Sequence, residues 1–142
     1  MADVIELEFP ARAQYLSLAR VLLSAISERG PVVEGTRLDD LRLAVSEACA
    51  NAIDAYAGQR KGGERVRVRL TIEADRLEVE VSDHAGGFDP LALRPHPPPT
   101  VPARLQFERG LGIPLMKALT DEVEFRAADG GTAVRLVVHA RR

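Results

Sequence analysis

Apolar residues recur along this chain at two spacings, and the change from one to the other organises it. Residues 4–9 alternate Ile5, Leu7 and Phe9 with Val4, Glu6 and Glu8, the period of a half-buried strand, and Pro10 ends it. From 12 to 27 the spacing becomes helical: Tyr15, Leu16, Ala19, Leu22, Leu23 and Ile26 form one stripe, Arg12 and Arg20 lie outside it, and Gly30-Pro31 stops it. A second helix is predicted over 41–56, LRLAVSEACANAIDAY, with Leu41, Val45, Ala48, Ala52 and Tyr56 on one face. Asp39 or Asp40 is its expected cap, and it fades at Gly58.

After Gly62-Gly63 the period drops to two. Val66, Val68, Leu70 and Ile72, then Leu77, Val79 and Val81, flank a polar turn at Ala74-Asp75 and predict a hairpin. Its charged positions, Arg65, Arg67, Arg69, Glu78 and Glu80, read as cross-strand pairs with no catalytic role. A second hairpin is expected over 122–139, with Val123 and Phe125 before the Asp129-Gly130-Gly131 turn and Val134, Leu136 and Val138 after it. Hairpins with helices predict an α+β fold, a two-layer α/β sandwich whose mixed sheet carries helices on one face.

Composition narrows the function classes. The 142 residues, 46% hydrophobic and 28% charged, suit one domain over residues 1–142 with a real core. A net charge of −2, with no basic run interleaved with aromatics, argues against direct nucleic-acid binding. Cys49 is the single cysteine, so no intrachain disulfide forms, and its helical position reads as small core. The acidic N-terminus MADVIELEF does not resemble a signal peptide, and no apolar run approaches membrane-spanning length. A soluble cytoplasmic chain with no membrane partner is expected.

The candidate chemistry lies on the second helix and between the hairpins. Glu47, Asn51 and Asp54 share the polar face of the 41–56 helix, placing a carboxylate one turn from an amide. An amide oxygen can ligate Mg²⁺ while the acid orients a hydroxyl; the same face is equally an ordinary solvated one. Asp83-His84-Ala85-Gly86-Gly87 begins where an apolar strand ends. There a carboxylate could accept from an exocyclic amine, and a plain turn would use the same residue types. Six of the nine prolines fall between Gly87 and Leu105, which excludes a regular helix or central strand and predicts a long loop. Arg109-Gly110-Leu111-Gly112-Ile113-Pro114 then enters an apolar helix containing Leu115, Met116 and Leu119, with Pro114 suited to its first position. Glycines before a helix N-terminus let a phosphate approach free N–H groups, although such an entry also occurs without a ligand. His84, His96 and His139 are scattered and lack metal-ligand spacing.

Taken together, ExxxN on a helix, DxxGG at a strand end, a long loop, GLG at a helix start and a late Gly-Gly-Thr resemble the GHKL (Bergerat-fold) ATPase superfamily. Within it the chain most resembles the small anti-sigma factor serine kinases of sporulation and stress-response systems. The likeness runs from the LEF strand through LARV at 18–21 and AVSEACANAI at 44–53 to DEVEF at 121–125 and GGTAVRL at 130–136. It implies ATP and Mg²⁺ as cofactors. Glu47 matches the acid that polarises the attacking hydroxyl, and Asn51 the amide that holds Mg²⁺ against the phosphates. Asp83 matches the acid that reads the adenine amine, with Gly87 as its companion glycine. Gly110, Leu111 and Gly112 match the phosphate-binding box, Thr132 the residue that helps Asp83 fix adenine, and residues 89–109 the ATP lid. Arg20 occupies the place of an arginine that contacts the sigma factor and the competing antagonist; a solvated helix arginine reads the same way.

The resemblance implies a homodimeric serine kinase that sequesters a sigma factor and phosphorylates its anti-anti-sigma antagonist. Ala85 departs from the pattern, standing where relatives carry glycine. If that position needs positive φ, alanine costs about 1 kcal/mol or more and nucleotide affinity falls. Ala55, Tyr56 and Ala57 stand where many relatives carry His-Ala-Tyr, which reads as drift outside the phosphate site. Two other readings remain: an idle, nucleotide-dependent sequestering module, and a detached histidine-kinase-like catalytic domain. Intact Glu47 and Asn51 weigh against the first. The second expects a helical hairpin with a phosphoacceptor histidine, which this sequence does not contain.

Overall fold

The computed structural model describes residues 2–26, 36–56, 62–84, 112–128 and 130–140. In chain order these form β1 (Asp3–Pro10), α1 (Leu16–Ile26), α2 (Thr36–Ala55), β2 (Arg65–Ile72), β3 (Arg76–Ser82), α3 (Gly112–Leu119), β4 (Glu122–Ala128) and β5 (Gly131–His139). A short 3-10 turn, Ala13–Tyr15, precedes α1. The strands make one sheet in the order β1-β2-β3-β5-β4, and the helices cover one face of it.

The expected two-layer sandwich is present, with one correction: the sheet is antiparallel at every neighbouring pair, not mixed. β1, β2 and β3 form a meander. The connection through α3 brings β4 back in the same direction as β3, as a helical crossover does. β5 lies between those two strands, so no parallel pair is made.

Alternation along the strands sorts the side chains. Val66, Val68, Leu70, Leu77, Val79 and Val81 are buried under the helices, with Val68 opposite Val81 and Leu70 opposite Val79. The intervening charges face away and pair across strands as the pattern predicts: Arg69 with Glu6 at 3.7 Å, Arg65 with Glu8 at 3.6 Å, and Arg126 with Glu80. β1 is covered only at its end. Phe9 is buried, Leu7 is partly so, and Ile5 is 38% exposed, with no helix among the described residues covering that part of the edge strand.

α2 is the central prop. Leu41, Val45, Ala48, Ala52 and Tyr56 are buried along it, together with Ala44, Cys49 and Ile53. Alanines at 44, 48 and 52 keep that face shallow, which permits close approach to the sheet. The helix begins at Thr36, ahead of the predicted cap, so Asp39 and Asp40 lie inside it. Asp39 in the first turn meets Arg42 at 2.7 Å, and a carboxylate is favourable there. Burial pushes the Cys49 thiol up to about 12, which makes it an inert core residue. No helix among the described residues is long and apolar enough to cross a membrane.

The ends of α2 are tied to opposite ends of the sheet. Near its start the Arg37 guanidinium pairs with Asp121 and donates to the His139 carbonyl at 3.2 Å. Just past its end the Tyr56 hydroxyl donates to the Arg65 carbonyl at 2.7 Å, at the beginning of β2. Twenty helical residues span about 30 Å, so α2 traverses the sheet and fixes one end against the other.

Candidate functional site

At the Tyr56 end of α2, three strand termini converge. Ser82 lies opposite Ala133 and Arg67 opposite Ser82, so the end of β3, the start of β5 and the start of β2 share one margin of the sheet. Asp83 is the first residue beyond β3. Its N–H donates to the Thr132 carbonyl at 3.0 Å, extending the ladder by one bond past the strand.

Asp83 and Thr132 are 5% and 6% exposed, and among the described residues they are the two buried ones classed as polar or charged. A carboxyl group and a hydroxyl withdrawn from water need polar groups to answer them. A carboxylate beside a hydroxyl offers acceptors and one adjustable donor, which suits an amine on a flat heterocycle. The two residues therefore fit an adenine base. Gly131, read from sequence as a turn residue, makes this junction feasible. A Cβ there would lie 1.8 Å from the Asp83 carbonyl oxygen and 2.7 Å from the His84 Cα, so only glycine lets β5 pass. Its neighbour Gly130 has φ +70°, the left-handed conformation the turn requires.

Glu47 and Asn51 lie one turn apart on α2, both half-buried, on the stretch leading towards Tyr56. Asp54 continues the same face and is also half-buried. Asn51 precedes Tyr56 by five residues, about 7.5 Å along the axis. The amide thus stands nearer along α2 to the Tyr56 end that meets His84, and the acid one turn farther back. An amide oxygen and a carboxylate at this spacing fit a magnesium-bound polyphosphate, the first as ligand and the second as hydrogen-bond acceptor.

Gly112 is the first residue of α3, so the helix starts two residues earlier than Pro114 predicts. The proline stays within the first turn, where its missing N–H leaves no intrahelical bond unmade. Met116 anchors α3 in the core. Gly87, Gly110, Leu111, Ala85 and the 89–109 lid lie outside the described residues. Arg20 is exposed on α1, away from the stripe of Ala19, Leu23 and Ile26 that the helix buries.

Tyr56 is the residue that sequence reasoning missed. It reads as drift from a His-Ala-Tyr pattern, yet its hydroxyl accepts the His84 N–H at 2.7 Å while donating to Arg65. The available signal was an aromatic hydroxyl closing an apolar helix face, since a buried tyrosine needs a partner for its O–H.

The family described as Histidine kinase-like ATPase domain matches residues 9–138. The Serine-protein kinase RsbW of Bacillus pumilus (strain SAFR-032) is 40% identical over 135 residues, which cover 92% of this chain and 82% of that protein. The Serine-protein kinase RsbW of Bacillus subtilis (strain 168) is 38% identical with the same coverage. Among solved structures, the RsbU and RsbW domains of Rv1364c from Mycobacterium tuberculosis superpose with a TM-score of 0.64 at 19% identity. That match covers 99% of this chain and 33% of the other, and at such identity it speaks for the fold alone.

Proposed function

The chain belongs to the family of histidine kinase-like ATPase domains, and from that membership we propose that it is an ATP-dependent protein serine kinase that also sequesters a sigma factor. Its substrate is the sigma factor's anti-anti-sigma antagonist, phosphorylated on serine. The burial of Asp83 together with Thr132 at one sheet margin carries the nucleotide part of this reading. The serine-protein kinase relatives, matched along most of their length, supply the reaction class.

Mg·ATP, when bound, supplies the γ-phosphoryl group. Asp83 and Thr132 hold the adenine, Asn51 provides the amide oxygen for Mg²⁺, and Gly110, Leu111 and Gly112 offer backbone N–H groups to phosphate. By the family resemblance Gly87 is the glycine companion of Asp83 and residues 89–109 correspond to the ATP lid, both outside the described residues. Glu47 accepts the hydrogen bond of the substrate serine hydroxyl and orients its oxygen for in-line attack. Arg20, on the exposed side of α1, contacts the protein partners. A phosphoserine on the antagonist adds about two negative charges and prevents its docking, whereas the unphosphorylated antagonist displaces the sigma factor. The working form is a cytoplasmic homodimer of single-domain chains.

Transfer of labelled phosphate from Mg·ATP to candidate antagonists tests the proposal, with Glu47→Ala and Asn51→Ala as controls. Labelled serine is expected with the wild-type chain, and loss of about a hundredfold or more in each variant. ATP binding without transfer would favour the idle sequestering module instead. Absence of any nucleotide binding would mean that Ala85 marks a decayed site.

A further inference from the structure

Tyr56 stands one residue beyond α2 with its ring buried, and its hydroxyl bridges two other segments. The His84 N–H can only donate, so the phenol oxygen accepts there and its single proton goes to the Arg65 carbonyl. Both bonds are 2.7 Å. The hydroxyl therefore clamps the residue after Asp83 to the helix that carries Glu47 and Asn51.

The consequence for Asp83 is specific. Peptide units are planar, so holding an N–H restrains the turning of the whole unit. The Asp83 N–H is held on Thr132 of β5 at 3.0 Å, which restrains the unit before Asp83. The His84 N–H is held on Tyr56, which restrains the unit after it. With both units held, the range of φ and ψ at Asp83 narrows, and with it the range of directions of its Cα–Cβ bond.

We propose that Tyr56 is a positioning residue for base recognition: its hydroxyl, by holding the His84 N–H, aims the Asp83 carboxylate and keeps it in register with Glu47 and Asn51. This rests on the reading of Asp83 as the adenine-binding acid. Packing alone does not call for the hydroxyl, because a phenylalanine ring would fill the same space. Burial and the Asp83 and Glu64 charges raise the phenol's pKa, outweighing its backbone hydrogen bonds, which keeps the proton on oxygen for Arg65.

The test is Tyr56→Phe in the full chain, with ATP and GTP dissociation constants, melting temperature and phosphotransfer kinetics measured beside the wild type. Removing one hydrogen bond is expected to weaken ATP binding about five- to tenfold. GTP binding, expected to be weaker from the start, should change less, so the ATP-to-GTP preference narrows while kcat stays within about twofold. Val66→Ala, a cavity in β2 beside Arg65, serves as the control that lowers stability without touching His84. A lowered melting temperature with an intact ATP-to-GTP preference in both variants would make Tyr56 merely structural and overturn the inference. A wild-type chain that binds no ATP would instead sink the underlying reading, and this one with it.

Discussion

Adjacent glycines in the last hairpin do different work, and substitution separates them. Gly130 needs its positive φ, so Gly130→Ala should cost about 1 kcal/mol in thermal melts and leave ATP affinity unchanged. Gly131 has ordinary backbone angles, but its Cβ would strike the Asp83 carbonyl and the His84 backbone, neither of which can swing aside. Gly131→Ala should therefore cost about 2 kcal/mol or more and also weaken ATP binding, as a titration beside the melt would show. The sequence shows Gly131 as a turn residue and as part of the Gly-Gly-Thr motif but not the contact that constrains it, which comes from backbone some fifty positions earlier in the chain. Tyr56 was obscure for the same reason: its partners are backbone groups 9 and 28 residues away, and no local period encodes them. Asp83 stood out as a carboxylate at a strand end, and Thr132 only through the family resemblance; what sequence could not show is that the two are buried and bonded backbone to backbone.

Among the elements, the open face of the sheet carries a row of alternating charge set by register. Glu6, Arg69, Glu80, Arg135 and Glu124 lie side by side across β1, β2, β3, β5 and β4. Opposite charges at direct cross-strand positions favour this register, since a slip of one residue would turn the charges into the core. Val137 lies on this face between Glu78 and Glu122 and is nevertheless wholly buried, so the long side chains around it exclude water as well as pairing. Arg135 donates to Glu78 at 2.7 Å and holds that carboxyl below its usual range despite partial burial, with Arg76 adding to the effect. A depressed folded-state value contributes stability above the ordinary carboxylate range, lost as pH falls through the folded value. Glu78→Gln should accordingly lower stability by about 0.5–1 kcal/mol at neutral pH and flatten the acid-side fall in melting temperature below about pH 5. Sequence alternation disclosed these charges as strand pairs. It could not disclose that β5 separates β3 from β4, because a period of two reports a strand's faces and says nothing of its neighbours.

For the whole molecule, the proposed nucleotide binding would be linked to stability through α2, which carries Glu47 and Asn51 and is followed directly by Tyr56. Mg·ATP at a hundredfold excess over its dissociation constant should raise stability by about 2.7 kcal/mol, read as an upward shift in melting temperature. Asp83→Ala should abolish that shift, and GTP should produce a smaller one than ATP. Apolar spacing over 41–56 is enough to display the helix and its buried face. That the helix ties opposite ends of the sheet is invisible in that spacing, since Arg37 and Tyr56 make those ties to distant backbone and to Asp121. The strand order has a further consequence in time. Among the described strands β5 follows both β3 and β4 in sequence, yet it takes the place between them. A chain emerging from the ribosome holds β3 with an unpaired edge until residues 131–139 arrive, and such edges invite association. Thr132 and the glycine that lets β5 lie against Asp83 arrive on that same strand. The corner proposed to bind the base is thus completed only when β5 joins the sheet, so nucleotide capture is expected to wait for that strand.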